Sequence, residues 1–293
     1  MIVLVTGSTG CLGRHVAAQL GDRDRVTLWT SGRGPRKDDE HYMECDLLDA
    51  GAIDALIGKV RPNLIFHLAA SYTGDYAKDF AVNSDSARHL LEAALRHDLR
   101  PRTVLIGSAA EYGMVEPDDN PVTEAQALRP VSVYGVTKAF QTLLSGHYAY
   151  QHGMDIVVAR LFNLFATEQS ERLFVGRVER LIEQFKRGQR DAIEVGNLSA
   201  QRDYVDSVEA VEQLVMIATR GSPGEVYNVG SGRPTSMRDL LARMLSDSGL
   251  DMSVVREGSP AAGRAGYDVP IIYADTRKTL RLRESNSRIP GWR

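Results

Sequence analysis

Cysteine is almost missing from this chain: Cys11 and Cys45 are the only two among 293 residues. Two cysteines give no disulfide framework. The seven histidines fall at no ligand-like spacing from cysteine or carboxylate, so no metal centre is expected. No uninterrupted apolar run approaches the length of a membrane-spanning helix. Met1 leads straight into an apolar stretch, with neither a charged n-region nor an apolar h-region ahead of it, and a cytoplasmic location is expected. A basic excess is also lacking. The formal net charge is -3 with no cationic stripe, which makes nucleic acid and anionic membranes poor partners. Internal repeats and low-complexity tracts are absent, leaving a chain long enough to bury a sizeable core in one large or two modest domains.

The chain does contain regular alternation. Short apolar runs IVLV, RVTLW, NLIFHL, RTVLIG and DIVVARL are separated by helical segments, the pattern of a parallel sheet covered on both faces. One such segment, 76–97, places Phe80, Ala87, Leu90, Leu91, Ala94 and Leu95 at helical spacing. Directly after the first run come Gly7, Gly10 and Gly13, then Leu12, Val16 and Leu20 at helical spacing. This reads as strand, tight turn and helix, in which bare backbone approaches a pyrophosphate held by the helix N-terminus. The fold class is therefore α/β, a Rossmann-type doubly wound parallel sheet. Regular alternation weakens after Asn163, which predicts a smaller C-terminal lobe for substrate.

Tyr134 and Lys138 lie four residues apart in VYGVTKA, and Ser108 lies upstream in GSAAEYG. Residues i and i+4 share one face of a helix, so the lysine ammonium can sit beneath the phenol while the serine approaches from another element. A fixed cation favours phenolate and brings a proton with an ordinary pKa near 10 within reach of neutral pH. That is the equipment of a carbonyl-handling oxidoreductase.

The cofactor is readable at the second strand. A carboxylate about 20 residues past the glycines would bind a ribose diol, whereas its absence beside an Arg suits a 2′-phosphate. After RVTLW the residues are Thr30, Ser31, Gly32 and Arg33, with Arg14 and Arg36 as further cations. Ser31 can donate to a phosphate and Arg33 can clamp it, so NADP(H) is favoured over NAD(H). The alternative is that Arg33 and Arg36 only solvate a loop carrying Asp38, Asp39 and Glu40.

In order and spacing, Gly7, Gly10, Gly13, Asp46-Leu47, His67-Leu68-Ala69-Ala70, Asn83, Ser108, Tyr134 and Lys138 resemble the extended short-chain dehydrogenase/reductases, many of which modify nucleotide sugars. The resemblance covers nearly the whole chain. It implies that Thr9, Cys11, Leu12, Leu68, Ala69 and Ala70 line the cofactor and that Asp46 and Leu47 meet the adenine. It also implies that Asn83 holds the lysine-bearing helix and completes a proton relay. Asp46 could instead cap a helix over 51–60. Cys11, near a helix N-terminus, could have a lowered pKa or be a small residue packed by cofactor; His67 reads as a satisfied core residue.

The same resemblance places a boundary within the chain, with residues 1–160 plus about 203–231 as the NADP-binding domain and about 161–202 plus 232–293 as the lobe. PIIYADTRKTL and the terminal GWR resemble the closing segment of the family, whose members usually continue past that Gly-Trp. Pairing of the helices 76–97 and 134–151 with symmetry mates is common in the family, and Phe140, Leu143, Leu144 and Tyr148 offer surplus apolar surface, so a homodimer is expected.

Residues beside Ser108 narrow the reaction. Dehydratases of this family carry an acidic residue where this chain has Ala110, since eliminating water needs a carboxyl group there; epimerising synthases carry cysteine where it has Ala109. Glu111, one position further, would face differently on a strand and does not substitute. What survives is chemistry at one carbonyl, either reduction of a 4-ketosugar or a 4-epimerisation. The surrounding text resembles most the reductases of GDP-4-keto-6-deoxy-D-mannose. Asn163 and Arg202 match positions that contact sugar and diphosphate, with Ala109 beside the sugar and Arg264 a second diphosphate candidate. Arg202 could instead pair with Asp203 or Asp206. LFATEQSERLF departs from the Gly-Pro pattern the family has after Asn163.

Overall fold

A computed structural model describes residues 1–36, 39–258 and 269–289. Strand and helix alternate as β1 (Ile2–Thr6), α1 (Cys11–Gly21), β2 (Thr27–Gly32), β3 (Tyr42–Glu44), α2 (Ala50–Val60), β4 (Leu64–His67), α3 (Tyr76–Phe80), α4 (Ser86–Arg96), β5 (Arg102–Ser108), α5 (Val133–His152) and β6 (Ile156–Leu161). There follow β7 (Asn163–Phe165), α6 (Phe174–Lys186), β8 (Ile193–Val195), β9 (Gln201–Asp206), α7 (Ser207–Arg220), β10 (Val226–Val229), β11 (Pro234–Ser236), α8 (Met237–Asp247), β12 (Val255–Glu257), β13 (Ile271–Ile272) and α9 (Arg277–Arg281).

Seven strands form one sheet in the order β10-β6-β5-β4-β1-β2-β3, all parallel. Side chains of a strand alternate between faces. Val3 and Val5 therefore join Val16 and Leu20 of α1 and Leu214 of α7, while Leu4 joins Ile53 of α2 and Leu90 of α4 on the other side. The order reverses between β1 and β4. Ligands of doubly wound sheets bind at such a switch point, outside the carboxyl ends of the strands, and the turn at Gly7 and the segment Ala69-Ala70 emerge there.

Two elements differ from the sequence reading. β2 continues through Thr30, Ser31 and Gly32, because these residues pair with β3 and the first two also pair with β1. The helix read over 76–97 is broken by a π-helical segment, Ala81–Asp85, between α3 and α4. Such insertions rotate side chains out of the regular helical pattern and often mark functional positions. This one holds Asn83, fully buried.

α5 starts where Ser132 Oγ accepts from Gly135 N at 3.0 Å and stops at Gly153, whose left-handed φ of 62° suits glycine. β9 organises a small sheet with β7, β11 and β13, and β8 pairs β12. A separate apolar cluster joins Val178 and Leu181 of α6, Ile193 of β8 and Leu241 of α8, whereas α7 and β10 pack with the central sheet. Among the described residues no helix is long and apolar enough to cross a membrane.

Candidate active site

The glycine turn forms a cradle with no room for side chains. Gly7 has φ +70°, and a Cβ there would lie 2.6 Å from Ala69 N; at Gly13 it would lie 2.2 Å from Gly7 O. Gly10 caps α1 without a side-chain hydrogen bond, so the first N–H groups of the helix remain for an anion. At the carboxyl end of β2, the Oγ1 of Thr30 and the Oγ of Ser31 are buried without a hydrogen-bond partner among the described residues. An open cradle beside orphaned hydroxyls fits the dinucleotide that the sequence implies.

The surrounding residues refine the sequence reading. Arg33 is exposed just past β2. Arg36 stacks over the Tyr42 ring at 5.1 Å, and Arg14 donates to Thr9 O at 3.0 Å and to Glu168 Oε2 at 3.1 Å. Asp49, not Asp46, caps α2, accepting from Gly51 N at 2.8 Å and Ala52 N at 3.2 Å. Asp46 is exposed next to half-buried Leu47 and only turns its own backbone, accepting from Leu48 N at 3.0 Å. The Cys11 thiol moves up, because burial outweighs Arg14, rather than being lowered at the helix N-terminus. His67 is a satisfied core residue between Thr6 Oγ1 at 2.8 Å and Ser86 Oγ at 3.0 Å, and burial pushes it down to about 3. Leu68 is buried and Ala69 half-buried at the mouth of the cradle.

Ser108, Tyr134 and Lys138 converge where β5 ends and α5 begins. The Ser108 hydroxyl lies near enough to the Tyr134 phenol to lower it. Lys138, one turn on, is fully buried and donates to Ile106 O at 3.0 Å and Gln141 Oε1 at 2.9 Å. The fixed cation expected to bring the phenol toward neutral pH does not do so. The ammonium is occupied by the carbonyl and Gln141, and burial raises the Tyr134 phenol to about 12 against the Ser108 hydroxyl, which lowers it. Burial also lowers Lys138 to about 8, opposed by Glu111. At neutral pH the phenol holds its proton and the lysine its charge.

Asn83 ties the site together. Its Oδ1 accepts from Ser71 N at 2.8 Å, and its Nδ2 donates to Ser71 O at 2.9 Å and Thr137 Oγ1 at 2.9 Å. The amide reaches the residue before Lys138, not the ammonium itself.

Glu111 leaves the strand that the sequence implies. Residues Ala109–Glu111 form a 3-10 turn that swings its carboxylate beneath the strand end. Fully buried, it accepts from Ser108 N at 2.8 Å, Thr142 Oγ1 at 2.8 Å and Arg160 Nε at 2.9 Å. Ser-x-x-Glu is the capping-box pattern and would have revealed it.

On the substrate side, Asn163 opens β7 and donates from Nδ2 to Asp203 O at 3.1 Å. Arg202 lies on β9 with Nη1 on Gln201 O at 2.8 Å. The Asp203 carboxylate accepts from Ser231 N at 2.7 Å, Gly232 N at 2.9 Å and Ala274 N at 3.1 Å, and Asp206 caps α7 through Val208 N at 2.8 Å. Arg264 lies outside the described residues.

A glycine cradle at the switch point of a parallel sheet, with Ser, Tyr and Lys converging beside it, defines a nicotinamide-dependent enzyme of the extended short-chain type. The chain belongs to the NAD dependent epimerase/dehydratase family, which matches residues 3–230. It is 26% identical over 261 residues to GDP-6-deoxy-D-mannose reductase of Pseudomonas aeruginosa, covering 87% of this chain and 83% of the relative. It is 26% identical over 316 residues to a probable UDP-arabinose 4-epimerase 3 of Arabidopsis thaliana, covering 95% and 75%. It is also 28% identical over 292 residues to dTDP-glucose 4,6-dehydratase of Streptomyces antibioticus, covering 92% and 82%. The solved structure of RMD from Pseudomonas aeruginosa complexed with NADPH superposes with a TM-score of 0.82 at 22% identity, over 98% of this chain and 94% of that one. These are nucleotide-sugar enzymes, and the α/β fold with a seven-stranded parallel sheet is theirs.

Proposed function

We propose that this chain is an NADPH-dependent reductase of nucleotide-linked 4-keto-6-deoxy sugars, with GDP-4-keto-6-deoxy-D-mannose to GDP-D-rhamnose as the reaction that fits best. The observation that carries this is the chemistry around Ser108. Ala109 and Ala110 offer no acid, and both oxygens of Glu111, the carboxylate beside them, are held by Ser108 N, Thr142 and Arg160. Elimination of water lacks its acid or base. The Tyr134 phenol, raised to about 12, carries the proton that a reduction must deliver. The similarity to the Pseudomonas aeruginosa reductase supports the same reading.

Gly7, Thr9, Gly10, Cys11, Leu12 and Gly13 would hold the pyrophosphate, Asp46, Leu47, Leu68, Ala69 and Ala70 the rest of the dinucleotide, and Ser31 and Arg33 a 2′-phosphate. When bound, the dihydronicotinamide supplies the hydride taken up at C4. Tyr134 gives its proton to the C4 oxygen, Ser108 holds that oxygen, Lys138 restores the proton, and Asn83 positions the lysine-bearing helix through Thr137. Asn163 would contact the sugar, and Arg202 and Arg264 the nucleotide diphosphate, between the cofactor domain, 1–160 plus about 203–231, and the lobe, about 161–202 plus 232–293. Exposed Tyr76, Val136, Phe140 and Leu143 on α3 and α5 would be covered by a second copy of the chain.

The second reading is a nucleotide-sugar 4-epimerase, favoured by the similarity to a probable UDP-arabinose 4-epimerase over 95% of this chain. Cofactor behaviour separates the two. A reductase exchanges NADPH freely and consumes it one for one with a GDP-linked 4-keto-6-deoxyhexose. An epimerase retains NAD through purification, changes no absorbance and keeps deuterium from C4 in its product, and that outcome would replace the first reading.

A further inference from the structure

Tyr72, in the loop after β4, has no part in the chemistry above, yet it stands against the proton donor. Its ring meets that of Tyr134 edge-on, with centroids 5.2 Å apart and planes at 90°, while 42% of the residue remains exposed. An exposed aromatic on a loop is normally free to swing away. Here the backbone on either side is fixed. The Ser71 N–H and carbonyl are both bonded to Asn83, at 2.8 and 2.9 Å. The carboxylate of Asp79 accepts from Ser71 Oγ at 2.7 Å, Thr73 N at 2.9 Å, Thr73 Oγ1 at 2.8 Å and Gly74 N at 2.9 Å. The carbonyl of Tyr72 itself accepts from Arg172 Nη1 at 2.9 Å, a side chain from the segment between β7 and α6.

Asp79 is fully buried, and its burial needs a compensating set of donors. Burial alone would raise its carboxyl, but the Ser71, Thr73 and Gly74 bonds outweigh it and hold it low. A buried anion thus organises a surface loop, and the side chain this loop presents at the site is Tyr72.

We propose that Tyr72 is a specificity-determining residue, a fixed aromatic wall that packs against the C5–C6 side of the hexose and favours the methyl group of a 6-deoxy sugar over a hydroxymethyl. The inference rests on the sugar-reductase reading, which puts C4 at the Tyr134 hydroxyl. C6 is two bonds from C4, within the width of the ring that flanks Tyr134. An aromatic face gives a methyl group close dispersion contact and leaves an added hydroxyl facing a carbon surface in place of water. Pre-organisation matters because a wall that must be ordered on binding returns part of its contact energy as entropy.

The test is calorimetric titration of the full cofactor-loaded chain with GDP-D-rhamnose and GDP-D-mannose, for the wild type, Tyr72→Phe and Tyr72→Ala. The wild type and Tyr72→Phe should prefer the 6-deoxy sugar by about 10²-fold, the scale on which apolar pockets discriminate one hydroxyl. In Tyr72→Ala the preference should fall to within about threefold, chiefly through weaker 6-deoxy binding, with an unchanged melting temperature because the side chain is surface-lying. A preference that survives in Tyr72→Ala, or one lost in Tyr72→Phe, overturns the wall while leaving the reductase reading intact. Equal wild-type affinity for the two sugars does the same. A wild type that binds neither nucleotide sugar overturns both.

Discussion

Replacing Glu111 by alanine should be among the most damaging single changes in this protein. The Arg160–Glu111 pair is fully enclosed, with side chains 3% and 0% exposed. Removing the carboxylate strands the Arg160 guanidinium in the core, where breaking a buried pair costs about 3–5 kcal/mol. The N–H of Ser108 and the hydroxyl of Thr142 lose their acceptor as well, each worth about 1 kcal/mol or more. A total of about 5–7 kcal/mol is a large share of the ~5–15 kcal/mol that holds a typical domain together. The paired neutral variant Glu111→Gln with Arg160→Met should recover most of this loss, because removing both charges together leaves no unpaired ion in the core. It also leaves an acceptor for Ser108. Urea denaturation followed by far-UV circular dichroism, run on Glu111→Ala and as a double-mutant cycle over Glu111→Gln, Arg160→Met and their pair, measures both effects. A loss under about 1 kcal/mol in Glu111→Ala, or a double variant no more stable than the single, would refute the view that this pair anchors Ser108 to β6 and α5.

Lys138 makes stability depend on pH in a definite direction. Its folded value of about 8 lies below the ordinary lysine value, so between pH 8 and 10 the unfolded chain binds more protons and stability should rise with pH. Lys138→Met should remove that rise, of about 3 kcal/mol from fully charged to fully neutral, and a stability difference between variant and wild type that is flat with pH would count against it. Arg33→Ala should weaken NADPH by more than NADH, because only the former carries the 2′-phosphate. Fluorescence titration showing equal losses would reduce Arg33 to a loop residue.

Local pattern was enough to recognise much of this molecule. The strands and the glycine turn are legible because side-chain period and backbone permission are properties of neighbouring residues: Val3, Leu4 and Val5 alternate between faces, and Gly7 and Gly13 stand where a Cβ would strike the adjoining backbone. Tyr134 and Lys138 are legible as a pair because i,i+4 spacing on a helix makes them neighbours. Their chemistry was not. Lys138 stands at about 8 and Tyr134 at about 12 because burial dominates both, and burial is set by how α5 packs against β5 and its surroundings. The extent of β2 depended on ladder partners in β1 and β3, and the π-helical segment at Asn83 on contacts to Ser71 and Thr137. Glu111 left a readable trace in Ser-x-x-Glu, yet its partner Arg160 comes from the next strand. Tyr72 left none, since the carbonyl clamp from Arg172 and the ring contact with Tyr134 join segments far apart in the chain. Amino-acid order sets what each short stretch can do alone; which groups lose water, and which distant partner replaces it, is decided only when the layers close.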